Sequence, residues 1–232
     1  MATKQRLTKR QIKEDKFVTN LLRAQEYFTE HAGRFIMGVV AVALAAAVVF
    51  FLISGSQAKE REANELLGRA TVEFRASSFQ LAAVDFQSIL DNYGGTDAAA
   101  FASFYIANAY FELKNYDQAG EYFKLHLDKY RIDEMLTSSA MAGLAHCHRG
   151  KGEMQEAGDT FYDAYKTFPD SYVAADCLFY GAESFAAVGD SVNAQALWDI
   201  LRKLPGEGRR TTQLRQSLIE KGILDPAVGA YD

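Results

Sequence analysis

Apolar positions follow three regimes along the 232 residues. From Lys9 to His31, Ile12, Phe17, Val18, Leu21, Leu22, Tyr27 and Phe28 recur at spacings near three and four with charges between them. This predicts an amphipathic helix within a basic segment, residues 1–34. From Phe35 to Ile53 (FIMGVVAVALAAAVVFFLI), 19 consecutive residues carry no charge or strongly polar side chain. A helix of that length reaches roughly 28 Å, close to a bilayer's hydrocarbon thickness, and predicts a transmembrane helix over 35–53. A buried helix of a water-soluble core would keep a polar stripe, and this run has none. A cleaved signal peptide, with Ser56-Gln57-Ala58 as its small-residue site, is the other reading. Against it, 34 residues precede the run, and the run exceeds the roughly 7–15 residues of a signal core. The expectation is an uncleaved anchor, followed by a polar joint over 54–64.

The third regime is a repeat. A small residue followed four places later by an aromatic recurs as Ala82 and Phe86, Ala119 and Phe123, Ala157 and Phe161, Ala194 and Trp198, at offsets of 37, 38 and 37 residues. Upstream, Phe74, Tyr110, His148 and Phe185 fill a matching place, each preceded three residues earlier by Thr71, Ala107, Ala145 or Ala182. In this register the first turn is one residue shorter than the others. Each unit reads as helix, tight turn, helix, with turns at Ala76-Ser77-Ser78, Lys114-Asn115, Gly150-Lys151-Gly152 and Val188-Gly189-Asp190. One helical pair cannot bury its apolar face alone, so the pairs must stack into a solenoid. The units fall at about 65–95, 98–131, 136–169 and 174–206. Thr211 to Lys221, stopped by Gly222, predicts a capping helix within 207–232.

Composition narrows the class. Only three prolines occur, all late, and the sequence is Ala-rich and strand-poor, so the fold class is all-α. A net charge of −5 gives no sign of the basic face that marks a nucleic-acid binder, and no nucleic-acid partner is expected. Residues 1–34 hold eight Lys and Arg, which predicts a cytoplasmic N-terminus with the long domain across the membrane.

With its small and aromatic residues on both helices of a pair and Pro169 closing a unit, the segment from Glu65 to Gly206 resembles the tetratricopeptide repeat family. It departs from that family in its longer period and in His148, where the family has an aromatic. The order of parts is narrower: a basic head, one span, a short joint and about four such units resemble the ancillary subunit of the bacterial Sec translocon. The likeness is clearest from EHAGRFIMGVVAVALAAAVVFFLI into REANELLGRATVEF. It implies an inner-membrane protein with a periplasmic domain, acting as a scaffold for translocon subunits, chaperones or exported clients. An adaptor for wall synthesis, division or motility is the alternative.

No enzyme signature appears: no phosphate loop, no GxSxG, no HExxH. His146 and His148 stand two apart on a helix and face different ways, so they do not form a metal site, and no cofactor is expected. Cys147 and Cys177 fall on the first helices of units three and four, about seven residues out of step or roughly 10 Å along the axis, beyond a disulfide's reach. They read as buried thiols. No cysteine stands directly after the apolar run, so a lipoprotein signal is not expected.

In this repeat class first helices line the concave surface. The candidate groove is therefore Phe101, Phe104, Asn108 and Phe111 from unit two, His146 and Arg149 from unit three, and Asp176, Phe179 and Glu183 from unit four, with Val72 and Arg75 from unit one. Some of these phenylalanines belong to the core. Those exposed would form an apolar groove for extended or helical peptides. Phe104 stands where a clamp for a peptide's terminal carboxylate needs Lys, so recognition is expected to be apolar.

Overall fold

Short left-handed turns organise the chain into paired helices. The computed structural model describes residues 9–131 and 133–227; within its first helix the side chains of residues 9–17, 20, 21, 23, 24, 26–32, 35, 49 and 51–53 are not described. Nine helices occur among the described residues: α1 (Lys9–Arg75), α2 (Phe79–Tyr93), α3 (Asp97–Glu112), α4 (Tyr116–Lys129), α5 (Glu134–Lys151), α6 (Met154–Thr167), α7 (Ala174–Ala187), α8 (Ser191–Leu201) and α9 (Gly208–Glu220). The chain divides into two compact units, residues 1–57 and 58–232.

In the first unit the membrane span expected over 35–53 is corrected. Among the described residues no helix is long and apolar enough to cross a membrane. Phe35, Val49, Phe51, Leu52 and Ile53 lie outside the described side chains. The expectations built on the span fall with it: the bilayer as a partner, the cytoplasmic N-terminus with a periplasmic domain, and the inner-membrane location. Of the amphipathic pattern over 9–31, Val18 and Leu22 are described, and both are exposed. Ile12, Phe17, Leu21, Tyr27, Phe28 and all of residues 1–8 lie outside the description.

The second unit is a stack of helical hairpins. Residues 58–75 of α1 pair with α2, and α3 with α4, α5 with α6, and α7 with α8; α9 packs on α7 and α8. Each hairpin turns on one left-handed residue: Ser77 (φ 60°), Lys114 (φ 60°), Gly152 (φ 82°) and Gly189 (φ 79°). The next amide reaches back to the helix just ended, from Ser78 to Glu73, Asn115 to Tyr110, Glu153 to His148 and Asp190 to Phe185, at 2.9 Å each. These bonds satisfy carbonyls left open by the helix end.

The turns also correct the register read from sequence. Measured from the left-handed residue, the equivalents of Tyr110, His148 and Phe185 include Glu73, not Phe74, and the equivalents of Ala107, Ala145 and Ala182 include Ala70, not Thr71. All four alanines are fully buried. The first turn is therefore no shorter than the others. The mistake arose because Thr71 and Phe74 are the same kinds of residue displaced by one position.

On the inner face of each second helix a buried alanine is followed one turn later by a large buried ring. Ala82, Ala119, Ala157 and Ala194 are fully buried, and Phe86, Phe123, Phe161 and Trp198 are at most 2% exposed. Each such ring contributes roughly 1.5–3 kcal/mol through burial. Caps fix helix starts as well: Thr96, Asn115, Asp133 and Asp190 accept from the backbone three residues on. The Glu60 carboxylate also accepts from the Asp97 and Ala98 amides at the start of α3, a favourable place for a negative charge.

Candidate functional site

Helix periodicity puts Phe104, Asn108 and Phe111 on one face of α3, and Ser139, Ala142, Gly143 and His146 on one face of α5. Between these faces lies a cavity of about 240 Å³, closed by Phe123 of α4 below and by Tyr172, Val173 and Asp176 at the start of α7. It exists because α5 is locally thin. At the repeat spacing, Ala142 corresponds to Phe104 in unit two and Phe179 in unit four, and Gly143 to Tyr105 and Tyr180. Unit three thus carries two small residues where its neighbours carry two aromatic rings. Phe123 fills part of the space over Gly143, where a Cβ would meet its ring at 2.3 Å.

The polar groups of the cavity are few. Asn108 Nδ2 donates to the Phe104 carbonyl at 2.8 Å. The Ser139 and Tyr172 hydroxyls are 2.6 Å apart, and Asp176 pairs with Arg210 of α9 at 2.8 Å. His146 stands edge-on between Phe161 and Tyr180, with centroids 4.8 and 4.9 Å away. Burial, aided by the Arg149 charge, pushes its pKa down to about 4. It is therefore a neutral imidazole at physiological pH.

The residues named from sequence separate into two groups. Phe104, Asn108, Phe111 and His146 line the cavity together, as does Asp176. Phe101 is 37% exposed outside it. Phe179 packs edge-on against Tyr180 at 5.2 Å, within the core shared by α7, α8 and α9. Arg149 lies over the Tyr180 ring at 4.7 Å and donates to Glu183 at 3.3 Å, so these two charges satisfy each other. Val72 is exposed. Sequence reasoning did not name Ser139, Ala142, Gly143, Phe123, Tyr172 and Val173 for the site. Subtracting one repeat from the next would have found Ala142 and Gly143.

His146 and His148 face different partners: the first enters the cavity, and the second meets Glu153 at 2.6 Å. Cys147 and Cys177 are free and buried in separate core clusters, where burial pushes both thiols up to about 12.

Paired helices at a 37- to 38-residue spacing, stacked with first helices flanking a shallow cavity, define a tetratricopeptide-like helical solenoid. This class is typically a non-catalytic scaffold for protein–protein interaction. The tetratricopeptide repeat family model matches residues 101–130, which span most of α3 and all of α4. Among solved structures, the chain is similar to the nearly identical TPR-like repeats of a Podosopora anserina protein assigned as a kinesin light chain. The identity is 13% and the TM-score 0.55, over 70% of this chain and 86% of that one. A point variant of the same protein gives the same identity and TM-score over 70% and 85%. At this identity the likeness shows the fold alone. No curated protein matches the sequence. The expected kinship with the Sec translocon subunit is corrected accordingly: it rested on order of parts and on the span, and the matches found are to the repeat itself. The translocon, chaperone and exported-client partners, the envelope adaptor role and the bacterial assignment are withdrawn with it.

Proposed function

We propose that the chain binds a peptide segment of a partner protein in the face formed by α3, α5 and the start of α7, with repeat units at about 65–95, 98–131, 136–169 and 174–206 as its frame. The observation that carries this reading is the cavity that Phe104, Asn108, Phe111 and His146 share with Ala142 and Gly143. Its volume, about 240 Å³, lies below the roughly 300–1,000 Å³ of sites that enclose a whole small molecule. It suits one anchoring side chain of a longer segment laid along a helical face. Arg149, Glu183, Phe101 and Phe179 then belong to the flanks rather than to the anchor point.

The test is a selection from a displayed random-peptide library on the full chain, repeated with Ala142→Phe, which restores the ring present in the neighbouring units. Peptides that bind the parent should lose the variant while far-UV circular dichroism stays unchanged. Equal binding to both would overturn the assignment.

A further inference from the structure

We infer that the anchor is a tyrosine side chain flanked by cationic residues, its phenol hydrogen-bonded by His146; this rests on the peptide-binding reading of the same cavity. The imidazole lines the cavity and is fixed by Phe161 and Tyr180, yet it has no hydrogen-bond partner among the described residues. The ring nitrogens of His146 are not among the fully buried unpaired atoms, so they stay open to solvent until a ligand covers them, and a ligand that covers them without a polar tip leaves them unpaired. Burial keeps the imidazole neutral, so it offers one donor and one acceptor rather than a positive charge. That suits a neutral hydroxyl better than a carboxylate.

The walls select the body of the side chain. The Phe104, Phe111 and Phe123 rings surround a space floored by Ala142 and Gly143, which fits a flat ring making edge and face contacts. An aliphatic side chain or phenylalanine would fill the walls and leave His146 unpaired. Serine or asparagine would pair His146 and leave the walls empty. Tyrosine does both. Its neighbours follow from charge: residues 58–232 hold 26 Asp and Glu against 17 Lys and Arg, so cationic flanks complement this unit and acidic flanks oppose it.

The probes are three capped pentapeptides, Ala-Lys-Tyr-Lys-Ala, Ala-Lys-Phe-Lys-Ala and Ala-Glu-Tyr-Glu-Ala, titrated against the full chain by ligand-observed NMR. The Lys-Tyr-Lys peptide should bind about tenfold more tightly than either of the others. In His146→Phe its advantage over Lys-Phe-Lys should vanish, while Ala142→Phe should lose all three. Should His146→Phe lose helicity, His146→Leu replaces it. Equal affinity for the tyrosyl and phenylalanyl peptides in the parent, or an advantage that persists without His146, overturns the tyrosine assignment and leaves the groove intact. Equal binding of all three peptides by parent and Ala142→Phe, or no binding to the parent, overturns the groove reading itself.

Discussion

A Cβ added to Gly143 would lie 2.3 Å from the Cζ of Phe123, so the absence of a side chain on α5 is what lets the α4 ring lie across it. Phe123 is 1% exposed and its ring also lines the cavity, so making room for a Cβ means turning a packed ring toward that space. Gly143→Ala gains helix propensity of about 1 kcal/mol but forces overpacking that typically costs 1–3 kcal/mol. The expected result is a net loss of roughly 1 kcal/mol, read as a lower urea midpoint with an unchanged slope.

Lys114 and Ser77 occupy the left-handed position that units three and four fill with Gly152 and Gly189. A residue with a Cβ pays about 1–2 kcal/mol there relative to its preferred conformations. Lys114→Gly removes that strain at some entropic cost in the unfolded chain, and should stabilise by about 0.5–1 kcal/mol. Gly152→Ala should lose about as much. Paired denaturant melts of the two variants check the opposite signs.

Trp198 is 2% exposed, and its indole nitrogen is buried with no hydrogen-bond partner among the described residues. The equivalent residues in the other three units are phenylalanines. Trp198→Phe loses ring area but also removes an unpaired N–H, whose burial costs about 1–3 kcal/mol. Stability should therefore change by less than about 1.5 kcal/mol, whereas Trp198→Ala should lose 3–5 kcal/mol. Thermal unfolding of both variants decides the matter.

His126 is fully buried, with Nδ1 2.9 Å from Ser103 Oγ and 3.2 Å from the Ala100 carbonyl, and with Nε2 unpartnered among the described residues. Burial lowers its pKa, as it does that of His146. Both groups bind protons more readily in the unfolded chain, so stability is complete above the unfolded value near 6.5 and falls as pH drops below it. For His146 the loss runs from about 6.5 to about 4 and amounts to something on the order of 3 kcal/mol. Denaturation midpoints should decline across that window, and the decline should flatten in His146→Phe.

The hairpin pattern was readable from sequence because its cause is local: Ala82, Ala119, Ala157 and Ala194 are where two backbones meet, and the ring four residues on has nowhere else to go. The register of the first unit was not readable, since Thr71 and Phe74 mimic Ala70 and Glu73's place in the turn, and only the left-handed φ of Ser77 distinguishes them. In the candidate site Phe104, Asn108, Phe111 and His146 came from the repeat register together with the resemblance, which implies that first helices line the concave face. Ala142 and Gly143 did not, because small residues on a first helix look like ordinary close packing until the rings that adjoin them are located. The uncharged run from Phe35 to Ile53 suggested a span by its length, yet among the described residues no helix is long and apolar enough to cross a membrane.

The thin place on α5 is made by two small side chains, Ala142 and Gly143, within an uninterrupted helix. Such a notch is portable. Trimming Phe179 while enlarging Ala142 would shift that space toward the next hairpin of the same scaffold, with two codons changed and every turn sequence left as it is.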